Sequence, residues 1–244
     1  MRIFVLGNSH VGALKLGWDE IAGFYPEVRI TFFAHRADRL GKLVVRDGKL
    51  FPKNRDLKNA IAHTSGGSRE IDPAKCDVIL IYGLGAKAYF SDPNRYFSES
   101  VKSEAMTDHA SDTISYEIFR MIREVTEKQV YIGHAPLRAA TKHVNRLQEG
   151  FPKPYELGIR DINEYFYRPQ GAELVPQPQQ TIINSRHTDP RFSLSSKRLD
   201  IGDELDHAPH PENDRNHMNH EFGKLWLQMF LELIANHPTD LSVA

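Results

Sequence analysis

Two short stretches at opposite ends of the chain hold residue types that together could perform acyl chemistry. Near the N-terminus an apolar run, Ile3-Phe4-Val5-Leu6, breaks at Gly7 and is followed by Asn8, Ser9 and His10. Near the C-terminus Asp214 stands three residues before His217, just ahead of a strongly amphipathic stretch. A serine hydroxyl is a weak nucleophile until a base takes its proton, and a histidine serves as that base when a carboxylate fixes its tautomer. Three-residue spacing in a loop lets Asp214 reach one ring nitrogen of His217 and leaves the other for a serine. Each block also has a plainer reading. A serine just past a strand can simply cap the next helix, and an Asp-x-x-His can be a solvated turn.

These residues need elements to carry them. Arg2–Leu6 reads as a buried strand, and Val11–Phe24 as a helix with Leu14, Trp18 and Ile21 on one face. Strands are expected at Val28–Ala34, at Asp77–Tyr82 and at Gln129–Ile132. A small hairpin around Asp47-Gly48 is expected over Leu43–Phe51. One helical stripe runs from about Glu99 to Glu127 through Ile114, Ile118, Met121, Ile122 and Val125. From about 139 to 200 the pattern weakens and prolines accumulate, which reads as an irregular insertion or lid holding a helix near Tyr155–Tyr167 and a strand near Glu173–Val175. The last helix is the clearest, with Phe222, Leu225, Trp226, Met229, Phe230, Leu233 and Ile234 on one stripe and Asn219 as its N-cap. Strands alternating with helices imply an α/β fold, a parallel sheet covered on both faces. In such a sheet, ligands bind at the carboxyl ends of the strands, which is where Ser9 falls, and its N–H near a helix N-terminus can help hold an oxyanion.

The bulk numbers narrow the function classes. The 244 residues, 40% of them hydrophobic, can bury a sizeable core. They read as a single domain spanning 1–244. A net charge of −1 with scattered Lys and Arg gives no electrostatic case for nucleic acid. No apolar run approaches the ~20 residues of a membrane helix. The short N-terminal run does not read as a signal peptide, and a single cysteine, Cys76, leaves no internal disulfide. A cytoplasmic location and a membrane-free, nucleic-acid-free life are the resulting expectations.

Taken together, Gly7-Asn8-Ser9-His10 after the first strand and Asp214-Arg215-Asn216-His217 before the last helix resemble the SGNH hydrolases, also called GDSL esterases and lipases. The Gly-x-Ser-His form is also similar to SGNH-type polysaccharide O-acetyltransferases. The resemblance implies a flavodoxin-like three-layer α/β/α sandwich. It also implies an ester hydrolase or acyltransferase with Ser9 as nucleophile, His217 as general base and Asp214 as its orienting partner. It implies no cofactor and no metal, and a small-molecule or carbohydrate ester as substrate. The chain departs from the family pattern in its oxyanion donors. The family places a glycine after the second strand and an asparagine after the third. Here those positions read Ala34-His35-Arg36 and Gly83-Leu84-Gly85-Ala86. Backbone groups near Gly83 and Gly85, or the side chains of Asn8, His35 or Arg36, are the candidate replacements. A non-catalytic SGNH-like module that binds a carbohydrate or another ligand is the alternative.

Other constellations are weaker. Gly7, Ser9 and Gly12 half-match a dinucleotide fingerprint, but its second position should be glycine and the Asp-x-x-His stays unexplained. The dense run Asp203, Asp206, His207, His210, Asp214, His217 and His220 invites a metal reading without the helical spacing of a zinc motif. His134, in Gly133-His134-Ala135-Pro136, falls at the same sheet edge as Ser9; it either lines the pocket, with Arg138, or satisfies loop backbone groups. His10 either packs in the first helical turn or faces the pocket. Cys76 reads as structural.

Overall fold

The computed structural model describes residues 1–141, 153–184 and 186–236. Its elements run in order β1 (Arg2–Gly7), α1 (Val11–Ile21), β2 (Arg29–Ala34), β3 (Leu43–Arg46), β4 (Lys49–Pro52), α2 (Arg55–Thr64) and β5 (Val78–Tyr82). They continue with α3 (Glu99–Ser111), α4 (Ile114–Arg123), β6 (Val130–Gly133), α5 (Lys153–Ile162), β7 (Ala172–Val175), β8 (Ile182–Ile183), β9 (His187–Thr188) and α6 (His220–Asn236). Strands β2-β1-β5-β6-β7 form one sheet, and every pairing in it is parallel. Counting only those five strands, the order is 2-1-3-4-5, the flavodoxin-like winding. The chain is a three-layer α/β/α sandwich, and its winding reverses between β1 and β5.

Alternation along the strands builds the layers. Ile3, Val5, Val78 and Leu80 join α1 and α6 in one core. Phe4, Leu6, Ile79 and Ile81 join α2, α3, α4 and α5 in the other. Phe222, Trp226 and Phe230 of α6 are almost fully buried, and each such side chain contributes roughly 1.5–3 kcal/mol. Helices α1 and α6 touch backbone to backbone. A Cβ added at Gly223 would lie 1.8 Å from the Ala13 carbonyl oxygen, and one at Gly17 would lie 2.4 Å from the Lys224 nitrogen. This contact matters for the site, because Ser9 lies two residues before α1 and His217 three residues before α6. Fixing the two helices against each other fixes the distance between their leading loops.

Several expectations need correcting. The single stripe from Glu99 to Glu127 is two helices. Asp112 breaks it and Thr113 starts the second, its Oγ1 accepting the Tyr116 N–H at 3.1 Å. Helix α2 carries little sequence signal: its apolar face is only Leu57, Ala60 and Ile61, too short a stripe to stand out. The stretch 139–200 is not an insertion as a whole. Residues 142–152 and 185 lie outside the described residues, but α5 and the edge strand β7 belong to the core and the sheet. Among the described residues the irregular part is the stretch from 176 to 219, which carries only short turns and the two-residue strands β8 and β9. Asn219 does cap α6, its Oδ1 accepting the Phe222 N–H at 3.2 Å while its Nδ2 donates to the carbonyls of Arg191 and Leu194. Among the described residues no helix is long and apolar enough to cross a membrane.

Candidate functional site

The loop after β1 and the loop before α6 meet at the carboxyl edge of the sheet. Ser9 Oγ lies 2.9 Å from His217 Nε2, and His217 Nδ1 lies 2.9 Å from Asp214 Oδ2. Asp214 also accepts the backbone N–H groups of His217, at 3.0 Å, and Asn216, at 2.7 Å, through Oδ1. A carboxylate only accepts, so Nδ1 carries a proton and donates it to Asp214. Nε2 is then the free lone pair, and the Ser9 hydroxyl donates to it. Burial works to raise the Asp214 carboxyl, but the N–H groups of His217 and Asn216 and the His217 ring outweigh it and hold it down at about 2. The chain of contacts therefore starts from a firmly ionised carboxylate. The alternative reading of Ser9 as a helix cap does not hold: α1 begins after His10 without a side-chain cap, and Ser9 Oγ turns to His217 instead.

Two more histidines flank His217. The His210 ring stacks on it, with centroids 3.8 Å apart and planes 7° from parallel, and His10 lies at 5.1 Å and 30°. Burial first, and His217 second, push His10 down to about 3 and His210 to about 4. Reading His210 only as one member of a dense His/Asp run misses this contact. The spacing His210-x-x-x-Asp214-x-x-His217 was the available signal, since it brings three side chains of one loop together. His210, Asp214 and His217 do offer three potential metal-ligand atoms within 4.8 Å of one another. An ion bound by an imidazole lies in the plane of that ring, about 2.0–2.1 Å from nitrogen. Two parallel rings stacked 3.8 Å apart have no such point in common.

The candidate oxyanion groups separate into those left without a partner among the described residues and those committed elsewhere. Asn8 Oδ1 accepts the His10 N–H at 3.2 Å, which leaves its amide NH2 without a hydrogen bond among the described residues. The Ser9 N–H likewise has no partner among them. Gly83, with φ +74°, lies under the Asn8 side chain: a Cβ there would come within 2.5 Å of Asn8 Oδ1. The missing side chain at Gly83 is thus the room that Asn8 occupies. The Gly83 N–H donates to the Gly133 carbonyl at 2.8 Å and is not available. Gly85 faces Thr113, 3.7 Å from where its Cβ would be, on the α4 side.

Three candidates are corrected by their contacts. Arg36 is not a donor toward Ser9. Its side chain is 15% exposed, and its guanidinium is spent on the Leu199 carbonyl at 2.9 Å, on Asp203 at 2.6 and 2.7 Å and on Asp206 at 3.0 Å. It ties down the turn that leads into His210. His35 turns away as well, its Nδ1 on the Arg36 carbonyl at 2.8 Å and its Nε2 3.2 Å from Asp56 on α2. His134 is 2% exposed and takes the plainer of its two readings: Nδ1 donates to the Ala135 carbonyl at 2.6 Å, and Nε2 accepts from Tyr155 Oη at 2.8 Å. Burial pushes His134 down to about 4, against the pull of the Ala135 carbonyl. Cys76 is buried with its thiol on the Pro73 carbonyl, and burial pushes it up to about 11, the mark of an inert structural thiol.

No family model and no curated protein matches the chain. Among solved structures it is similar to the periplasmic domain of a lipopolysaccharide acetyltransferase from Salmonella ser. Paratyphi A, at 14% identity and a TM-score of 0.46, covering 96% of this chain and 83% of that one. A fainter likeness, at 12% identity and a TM-score of 0.18, is to a water-forming NADH oxidase from Lactobacillus brevis, covering 72% of this chain and 46% of that one.

Proposed function

We propose that this protein is a serine-dependent acyl-transfer enzyme of the SGNH hydrolase kind, cleaving or transferring the acyl group of a small-molecule or carbohydrate ester. The observation that carries the reading is the unbroken path Ser9 Oγ–His217 Nε2 and His217 Nδ1–Asp214 Oδ2, both steps at 2.9 Å. Hydrogen-bond reach between nucleophile and base, with the base oriented by a third group, is what activation of a hydroxyl requires.

In this reading Ser9 Oγ attacks the ester carbonyl as its proton passes to His217 Nε2. Asp214 keeps the ring in the productive tautomer and offsets the charge that forms on it. The Ser9 N–H and the Asn8 amide receive the oxyanion. His217 returns the proton to the departing alkoxide, the acyl–alkoxide bond breaks, and Ser9 is left acylated. Water or a sugar hydroxyl then repeats the sequence in reverse and frees Ser9. No cofactor enters these steps.

The rival is a non-catalytic module of the same fold that binds a carbohydrate. It is favoured by the donor set, since the Gly83 N–H is already bonded and no glycine follows β2. Hydrolysis of short p-nitrophenyl esters, together with a fluorophosphonate probe, separates the two. The acyl-transfer reading expects turnover and a label on Ser9, both lost in Ser9→Ala. Turnover that survives in Ser9→Ala removes Ser9 as nucleophile. An unlabelled wild type that binds glycans supports the module.

A further inference from the structure

We propose that His210 is a positioning residue for His217: its ring holds the His217 imidazole in the plane that joins Asp214 to Ser9. The proposal rests on the acyl-transfer reading above for its kinetic consequence, but not for its geometry.

Nothing in the hydrogen-bond pattern alone fixes the tilt of His217. The bonds at Nδ1 and Nε2 define an axis through the ring, and rotation about that axis is resisted only by what packs on the ring faces. His210 supplies one such face, 3.8 Å away and 7° from parallel. His10, at 5.1 Å and 30°, covers less closely. His210 is in turn built to stay still. It lies between Pro209 and Pro211, whose rings fix their own φ angles. Its N–H donates to the Ser196 carbonyl at 2.9 Å, the Arg198 N–H donates to the Ala208 carbonyl at 2.9 Å, and Lys197 pairs with Pro209. Its side chain is 6% exposed, with Nδ1 3.6 Å from Asp214 Oδ2, just outside hydrogen-bond reach, and Nε2 buried without a partner among the described residues. A loop histidine whose ring makes no hydrogen bond among the described residues, sealed against the ring of another, contributes through packing. A misplacement of about 1 Å in a reacting group costs on the order of 100-fold in rate, so a ring that keeps His217 upright carries a kinetic effect without touching substrate.

The test compares His210→Phe, which keeps a flat ring, with His210→Ala, which removes it. Two readouts are taken: steady-state kinetics on a p-nitrophenyl ester, and the NMR resonance of the His217 Nδ1 proton, assigned by its loss in His217→Gln. His210→Phe is expected to stay within about threefold of wild-type kcat and to keep the resonance. His210→Ala is expected to lose about 10- to 100-fold in kcat, with KM within about threefold, and to broaden or lose the resonance. His210→Gln, which keeps polarity without a ring, replaces the alanine variant if that variant does not fold, and is expected to behave like it. Wild-type kcat with a sharp resonance in the ringless variants overturns the proposal, as does a loss in His210→Phe equal to that in His210→Ala. If the wild type proves to have no esterase activity and takes no fluorophosphonate label, the acyl-transfer reading fails, and the resonance alone decides the role of His210.

Discussion

At one edge of one sheet, the loop after β1 and the loop after β6 each present a histidine-centred polar network, and the two are finished differently. Around His134 every strong donor and acceptor meets another. Tyr155 Oη donates to His134 and accepts the Gln177 N–H at 2.6 Å, while the Gln177 side chain serves the Leu137 N–H and the hydroxyls of Thr181 and Thr188, each at 2.9 Å. Around Ser9 the network stops short: the Ser9 N–H and the Asn8 amide have no partner among the described residues, and the Ser9 hydroxyl rests on a base. Buried polar groups are normally satisfied, so a network that is complete fixes structure, and one that ends in open donors beside a basic nitrogen is where the proposed chemistry would take place. Two histidines at one sheet edge look alike in sequence; the bonds that each still has to make tell them apart.

The largest effect that would break this contrast is on Asp214. Replacing it with asparagine keeps its size but lets the His217 ring take the other tautomer, with a proton on the nitrogen that faces Ser9. The expected loss in kcat is about 10,000-fold, on the scale known for this change in a serine–histidine–aspartate arrangement, with KM and melting temperature little altered. A loss of less than about tenfold would mean that His217 does not work through Asp214.

Next in size is the open amide. Asn8→Ala removes one oxyanion donor and leaves the Ser9–His217 bond in place, so kcat should fall about 100- to 1,000-fold while a fluorophosphonate still labels Ser9, more slowly. Asn8→Asp, which brings a negative charge to the same spot, should cost at least as much. Equal kcat in Asn8→Ala and wild type would move the missing donor to another group. On the other side of the contrast, His134→Phe should leave kcat within about threefold but destabilise the fold by about 1–3 kcal/mol, because Tyr155 and Ala135 lose buried partners. Denaturant unfolding measures it, and a kinetic defect larger than the stability defect would return His134 to the substrate pocket.

What could be read without coordinates follows from how local the signal is. The strand after Met1, the strand Val78–Tyr82 and the stripe of α6 are long, strongly patterned and buried, and their period gives them away. The Asp214–His217 contact is four residues long and sits on its own loop, so its spacing is enough. Long-range choices leave no such mark. Nothing in Arg36 distinguishes an anion-binding guanidinium from one bonded to Asp203 and Asp206, more than 160 residues away. The room that Gly83 leaves for Asn8 is a contact between two strands' ends, invisible until the winding brings them side by side. The break between α3 and α4 was hidden because Met106 and Ala110 continue the apolar run across Ile114, and only the cap at Thr113 ends it. Sequence pattern fixes which face of an element is buried; it does not say which of several polar groups on the open edge will find a partner.

The smallest expected effect is also the one that reads both networks at once. His134 and His210 are held down at about 4 and His10 at about 3, where an unfolded histidine titrates near 6.5. Below pH 6.5 the unfolded chain therefore takes up protons that the folded chain refuses, and stability falls as the pH drops toward 4. Asp214 adds to the fall lower down, since its carboxyl, held at about 2, is protonated in the unfolded chain first. For His134 alone the loss between pH 7 and pH 5 is about 2 kcal/mol. His134→Phe has no such proton to refuse. The gap in unfolding free energy between wild type and His134→Phe should therefore narrow by about 2 kcal/mol between pH 7 and pH 5, while a gap that stays constant would mean that His134 titrates normally and that burial does not hold it neutral. The same pair of measurements on His210→Phe asks whether the ring stacked on His217 is neutral too. A similar narrowing is expected there, since burial and the neighbouring His217 outweigh the pull of Asp214 and hold His210 down to about 4 as well.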